Sequence, residues 1–235
     1  MKLSASDFSE LTVVIPFYNE EENVEEVVSE TKRKLPRARI LAVDDGSEDR
    51  TLQILKQIKE IKVIAFPENS GQSAAILAGL SEVETKMAAT MDGDGQNDPA
   101  DLVRLLEKWR EHSVVCGKRI NRKDTLSKKI TSKIGNSIRN LILKDGISDT
   151  GCSLKLFPHH AISVIPPFNG VHRFLPAFWK NAGFEVLEVG VSHRPRLKGY
   201  SKYNNLGRAR RGFWDLVGVH WFLHRKVFPK RARSV

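Results

Sequence analysis

Residues 11–50, LTVVIPFYNEEENVEEVVSETKRKLPRARILAVDDGSEDR, decide the fold. The run Leu11-Thr12-Val13-Val14-Ile15-Pro16 is short and apolar, the pattern of a buried strand. Residues 20–35 place Val24, Val27, Val28 and Leu35 on one stripe, as a helix with one core-facing side requires. Ile40-Leu41-Ala42-Val43 then reads as a second buried strand. A strand, a helix and a strand joined by short links form the unit of a parallel sheet.

The alternation continues downstream. Asp49 is expected to cap a helix running through Ile54, Leu55 and Ile58. Residues 61–66 read as a strand, 71–80 as a helix and 87–91 as a strand. Pro99 opens a helix carrying Leu102, Val103, Leu105 and Leu106, and Val114-Val115-Cys116 is a fifth strand. Beyond it, helices are expected over 125–143 and 171–182, strands over 153–157 and 184–191, and an amphipathic helix over 206–228. The expectation is a single-domain α/β fold with a mostly parallel sheet flanked by helices. No repeat or low-complexity linker divides the chain.

Ligands of such sheets bind outside the carboxyl ends of the strands. Tyr18-Asn19-Glu20, Asp44-Asp45-Gly46-Ser47 and Asp92-Gly93-Asp94 all fall there, after the first, second and fourth strands. Packing does not explain carboxylates at three strand ends. Asp92 and Asp94, one residue apart, can turn toward one cation, and Gly93 permits the unusual backbone path this needs. Hard oxygen ligands select Mg²⁺ or Mn²⁺, which would stabilise charge on a departing diphosphate.

Charge divides the 235 residues in two. Residues 1–117 carry 14 Lys/Arg against 22 Asp/Glu, and residues 118–235 carry 24 against 6, for a net charge of +10. A basic back half suits an anionic partner. Cys116 and Cys152 are the only cysteines, so no disulfide framework is expected and a reducing compartment is the default. The first ten residues lack a charged segment followed by an apolar run, and no stretch of about 18 apolar residues occurs, so neither a secretory signal nor a spanning helix is expected.

Val14-Ile15-Pro16 with Tyr18-Asn19-Glu20, Asp44-Asp45-Gly46-Ser47 with Asp49, and Asp92-Gly93-Asp94 with Gln96 together resemble the family-2 glycosyltransferases. The resemblance implies their single-domain nucleotide-sugar transferase (GT-A) fold. It implies that Pro16, Tyr18 and Glu20, with Asp44 or Asp45, hold the nucleobase and ribose, and that Asp92 and Asp94 hold metal and diphosphate. Gly117-Lys118-Arg119, residues 128–132, Asp149-Thr150-Gly151 and Gly199-Tyr200-Ser201-Lys202-Tyr203 narrow the likeness to polyprenyl-phosphate hexosyltransferases, including dolichyl-phosphate mannose synthases. So does the Asp-x-Asp-x-Gln form of Asp92 to Gln96. On this basis residues 1–205 form the catalytic domain, with 11–117 the nucleotide-sugar half and 118–205 the acceptor half. Residues 206–235 form a basic amphipathic helix and tail. The resemblance covers roughly residues 11–205, and many such relatives continue into transmembrane helices that this sequence lacks.

The implied reaction is inverting transfer of a hexose from a nucleotide sugar to a polyprenyl phosphate. Asp92, Asp94, Gln96 and Arg119 would be its catalytic group, and Arg119, Lys128, Ser132 and Lys202 would grip the acceptor phosphate. Lys128 and Ser132 are one helical turn apart and share a face, whereas Lys123, Lys129, Arg139 and Lys144 can also be read as a solvated surface. A phosphate monoester is largely ionised near neutral pH, with a second pKa of about 6, so no general base is needed. The sequence accordingly shows no obvious catalytic histidine; His172, beside Arg173, is the best placed, and a capping role suits it better. The stretch from Arg194 to Tyr203, which includes Gly199 to Tyr203 and sets Gly and Pro around four cations, reads as a loop that closes over phosphates, or as a basic linker.

Trp214 and Trp221 lie seven residues apart on one helical face between clusters of Arg and Lys. An interfacial helix on an anionic membrane and a core-packing helix with a basic tail both fit. The expected location is the cytoplasmic, inner face of a membrane, peripherally attached, with a membrane-protein partner left open. A transferase acting on a sugar hydroxyl stays open as well, with Asp149 as the candidate base. No reader motif supports a nucleic-acid partner, and a Gly-rich loop for a nucleotidyltransferase is lacking. GDP-mannose, UDP-glucose and UDP-N-acetylhexosamine remain equal as donors.

Overall fold

The computed structural model describes residues 8–120, 126–195 and 205–225. Strands β1 (Leu11–Phe17), β2 (Arg39–Asp44), β3 (Lys62–Ala65) and β4 (Met87–Thr90) alternate with helices α1 (Val24–Lys34), α2 (Thr51–Gln57) and α3 (Gln72–Ser81). Helix α4 (Asp101–Lys108), β5 (Ser113–Arg119), α5 (Leu126–Leu143), β6 (Lys155–Pro158), α6 (Leu175–Asn181), β7 (Glu185–Val191) and α7 (Asn205–Arg225) complete the chain. The seven strands form one sheet in the order β3-β2-β1-β4-β6-β5-β7. All pairings are parallel except those of β6, which runs antiparallel between β4 and β5. The expected α/β fold is therefore present, with one reversed strand at its centre.

Alternate strand residues feed two cores. Val13, Ile15, Phe17, Ala89 and Leu156 pack with α1, α2 and α4 on one face. Val14, Val43, Ala88, Val114 and Phe157 pack with α3, α6 and α7 on the other. Burial of strands on both faces is why they read as continuous apolar runs.

Boundaries shift for local reasons. Helix α1 starts at Val24 because the Glu20 carbonyl first closes a turn with the amides of Asn23 and Val24. The N-cap of α2 is Arg50, one residue later than expected; Asp49 still contributes, its Oδ1 accepting from the Thr51 amide at 2.9 Å and its Oδ2 from the Glu21 amide at 3.2 Å. The helix expected over 171–182 divides into a 3₁₀ turn at Val171–Arg173 and α6, with Phe174 outside helical geometry. Pro176 has no amide hydrogen to give the carbonyl four residues back and its ring would crowd that carbonyl, so it is tolerated in the first turn of α6 but not inside a helix running through from Val171.

Arg139 is not on a solvated surface. It lies on the inner side of α5 at 5% exposure, with its Nε 3.2 Å from Asp145 Oδ2 and its guanidinium donating to the Ile147 carbonyl. Burial raises the Asp145 pKa and lowers that of Arg139, so each charge depends on the other. This pair pins α5 to the loop that leads into β6. Arg139→Ala should lower unfolding free energy by about 3 kcal/mol, the scale for stranding one buried charge. Urea denaturation checks this, and a loss under 1 kcal/mol would mean the pair is hydrated.

Candidate active site

The carboxyl ends of β2, β1 and β4 lie side by side, and their loops are bonded to one another. The Asn19 amide donates to Ser47 Oγ at 2.9 Å, the Glu48 amide to Asn19 Oδ1 at 2.7 Å, and the Glu20 amide to Thr51 Oγ1 at 2.8 Å. The Glu20 carboxylate accepts from Asn23 Nδ2 at 2.6 Å and is largely buried. Tyr18 stays partly exposed at the rim. Pro16 sits within β1 opposite Val43, and its carbonyl backs Gly93, where a Cβ would come within 2.7 Å of it and 2.4 Å of the Phe17 ring. Gly93 therefore answers to close packing, and that contact draws the Asp92–Asp94 loop over the end of β1.

Asp44 and Asp45 have different environments. Asp45 accepts from the Ser70 amide at 2.8 Å, the Gly71 amide at 3.0 Å and Asn69 Nδ2 at 3.0 Å, and burial raises its pKa. Its carboxylate holds the turn before α3. Asp44 is 1% exposed; Oδ2 accepts from the Ser47 amide at 3.2 Å, and Oδ1 has no hydrogen-bond donor among the described residues. A buried carboxylate oxygen without a donor is the better candidate for a ligand hydroxyl.

Asp92 accepts from Gln72 Nε2 at 2.8 Å, and its amide donates to Asn97 Oδ1 at 3.1 Å. Asp94 Oδ1 accepts from the Gln96 amide at 3.1 Å. Burial, then the charge of Asp94, pushes the Asp92 pKa up to about 6, so two carboxylates are held together against their repulsion. A divalent cation between them would relieve that cost, and their oxygen chemistry fits Mg²⁺ or Mn²⁺. Among the described residues no three His, Cys, Asp or Glu side chains gather as a metal cage, so phosphate and water would complete the coordination.

The loop entering β6 supplies the opposite wall. Arg119, at the end of β5, donates from Nε and Nη2 to the two oxygens of Asp149 at 2.8 Å each, and its amide donates to Asp149 Oδ2 at 3.1 Å. A Cβ on Gly151 would lie 2.7 Å from Arg119 Nη2, so Asp149 aims the guanidinium and Gly151 leaves it room. Ser153 Oγ donates to Asn97 Oδ1 at 2.9 Å, tying this loop to the Asp92 loop.

Three contributors escaped the sequence reading. Gln72 orients Asp92 from the first turn of α3; its only signal is the Asn69-Ser70-Gly71 turn before that helix. Arg194, after β7, donates to both oxygens of Glu30 at 2.7 and 3.0 Å and approaches Asp98. Its amide also donates to the Gln96 carbonyl at 3.0 Å, fixing the far side of the Asp92–Gln96 loop. Lys155 is the third, buried at the start of β6. His172 Nδ1 lies 2.8 Å from Ser73 Oγ and so serves to fasten the 3₁₀ turn to α3. Lys128 and Ser132 belong to α5, but their side chains, and Lys202 with the whole Gly199 to Tyr203 stretch, lie outside the described residues.

A family model described as glycosyl transferase family 2 matches residues 12–165. Dodecaprenyl-phosphate galacturonate synthase of Rhizobium johnstonii is 33% identical over 94% of the chain and 69% of that protein. Undecaprenyl-phosphate 4-deoxy-4-formamido-L-arabinose transferase of Photorhabdus laumondii is 32% identical over 86% of the chain and 65% of its own length. The chain thus spans about two thirds of these relatives. Glucosyl-3-phosphoglycerate synthase from Mycobacterium tuberculosis, solved with Mn²⁺, UDP and glucosyl-3-phosphoglycerate, superposes with a TM-score of 0.70 at 15% identity, covering 91% of the chain and 79% of that structure. At that identity the likeness is one of fold.

The raised Asp92 pKa has a measurable consequence. Against an ordinary value near 3.9, the ionised carboxylate penalises the fold as pH rises toward about 6 and fully above it. Asp92→Asn should therefore raise the metal-free Tm by about 2–6 °C at pH 8, with the gain vanishing toward pH 4, while Mn²⁺ affinity is lost. Thermal unfolding across pH and calorimetric Mn²⁺ titration test both; a lowered Tm at pH 8 would contradict the assignment.

Proposed function

The chain belongs to glycosyl transferase family 2, and on that premise we propose that it transfers a hexose, with inversion, from a nucleotide sugar to a polyprenyl phosphate at a membrane surface. The observation that carries this reading is the gathering of carboxylates and a carboxylate-held arginine at one end of the sheet. Carboxylates at the ends of β2 and β4 stand on one side, and Arg119 held by Asp149 stands at the end of β5. The polyprenyl phosphates in the names of the Rhizobium and Photorhabdus relatives support the acceptor class.

Asp44, with its donorless oxygen, and Tyr18 at the rim would bind the nucleoside, with Pro16 and Glu20 shaping that pocket from behind. Asp92 and Asp94 would hold Mg²⁺ or Mn²⁺, which supplies charge stabilisation to the leaving diphosphate. Gln72 and Gln96 keep the two carboxylates in place. An acceptor phosphate oxygen attacks the anomeric carbon as the bond to the diphosphate breaks, and that bonding pair leaves with the nucleoside diphosphate. No proton moves, because the attacking oxygen is already ionised. The protein's task is to bring two anions together, with Arg119, Lys128, Ser132 and Lys202 proposed at the acceptor phosphate.

A hydroxyl acceptor would need a general base, and both oxygens of Asp149 already accept from Arg119. That favours the phosphate. Turnover of GDP- and UDP-hexoses, including UDP-galacturonate, with Mn²⁺ and undecaprenyl phosphate should exceed turnover with free saccharides by at least about 100-fold, and Arg119→Ala should remove most of it. Equal turnover on saccharides would favour the hydroxyl reading.

Membrane attachment is proposed through α7. Leu216 and Val219 are buried and Phe222 packs edge-on against Phe178 at 5.8 Å, so one side of the helix is core. Phe213, Trp214, Val217 and Trp221 are exposed on the other, and Ile138 and Leu141 are exposed on α5. No described helix is long and apolar enough to cross a membrane. The packing of one side and the lipid contact of the other are thus compatible. Trp214→Ser with Trp221→Ser should keep Tm and cut co-sedimentation with anionic liposomes at least about fivefold, an effect that salt weakens further. Unchanged sedimentation would place the contact elsewhere.

A further inference from the structure

Lys155 is a buried cation with no carboxylate in ion-pair contact among the described residues. It is 3% exposed, and its ammonium donates to the Cys152 carbonyl. The other basic side chain buried to this degree among the described residues, Arg139, has Asp145 as its partner. Among the described residues no ion pair involves Lys155. The thiols nearby do not compensate it, because burial pushes the Cys116 pKa up to about 12 and that of Cys152 up to about 11, leaving both neutral. An unpaired ammonium is among the costliest groups a core can carry. Hydrophobic packing would serve a purely structural strand better at this position.

Its place in the sheet gives the charge a use. Lys155 stands opposite Thr90 of β4 and Cys116 of β5. Side chains alternate along a strand, so Asp92 follows Thr90 on the same face, about one diagonal step from Lys155 and within reach of its field. The lysine favours the charged form of Asp92. Because β6 is antiparallel, its first residue lies at the end of the sheet where the crevice opens, under the gap between Asp92 and Arg119.

We propose that Lys155 is a positioning residue that places a fixed positive charge beneath the crevice and so favours holding donor diphosphate and acceptor phosphate together. This rests on the two-phosphate reading given above. The charge of Arg119 is already paired with Asp149, whereas Lys155 makes no ion pair among the described residues and acts on Asp92 only at a distance, so its charge stays available to anions that arrive. Burial keeps solvent and salt from screening it, and it needs no reorganisation when charge shifts in the reaction. Lys155 touches no reacting atom, so its contribution is electrostatic.

The test separates this role from a structural one. Lys155→Met, of similar length without charge, should match or exceed the wild-type Tm while binding inorganic diphosphate with Mn²⁺ about tenfold more weakly, read by calorimetry on the full chain. kcat should fall by more than tenfold with donor KM changed less, and Lys155→Arg should recover part of the binding. A clear drop in Tm in Lys155→Met and in Lys155→Gln alike would overturn the proposal in favour of a structural lysine. Unchanged diphosphate affinity in a stable Lys155→Met would overturn it as well while leaving the transferase reading intact. Failure of the wild-type chain to bind diphosphate with Mn²⁺ would overturn both.

Discussion

The reversal of β6 is the constraint on which the rest depends. A seventh parallel strand between β4 and β5 would have delivered its carboxyl end to the crevice and sent its preceding loop to the opposite edge. Running antiparallel, β6 instead brings its entry loop to the crevice. Asp149 meets Arg119, Gly151 makes space for the guanidinium, and Ser153 reaches Asn97. One loop thereby joins the carboxylate-bearing half to the basic half. Glu188 of β7 supports it from the far side, its carboxylate accepting from the Ser148 amide at 2.8 Å and the Asp149 amide at 3.2 Å.

The crevice is assembled from groups that are individually unfavourable. Among the described residues, Asp44 has a buried oxygen with no donor, Asp92 faces Asp94, and Lys155 makes no ion pair. Other carboxylates of the same chain are better provided for: Asp45 has three donors, and Glu30 takes both arms of Arg194. The contrast is spatial. Unmet electrostatic demand collects at one end of the sheet, as expected where a ligand completes the structure.

The fold of the first half was legible because β1, β2, β4 and β5 are buried on both faces and the links are short, with only the edge strand β3 left half-exposed. The carboxylates were legible because they follow strand ends. The reversal of β6 was not: four residues, Lys155 to Pro158, carry no mark of direction. Asp44 and Asp45 are alike in sequence and divided only by the turn at 69–71, which bends back onto one of them. Arg139 read as solvated because its partner, Asp145, lies beyond the helix end, where helical spacing says nothing. Gln72 and Arg194 act through bonds spanning 20 and 98 residues, distances over which a local pattern has no reach.

Helix α7 presents two faces, and Arg173 joins it through Asp215 to the turn that His172 fastens on α3. Such a helix cannot swing on a tether. Any planar surface that its aromatic side rests upon is held at one height and one tilt relative to Asp92 and Arg119. On the proposed attachment, the body of the protein would act as a ruler: it would admit an anionic head group that projects a set distance from that plane, whatever the length of the chain buried below it.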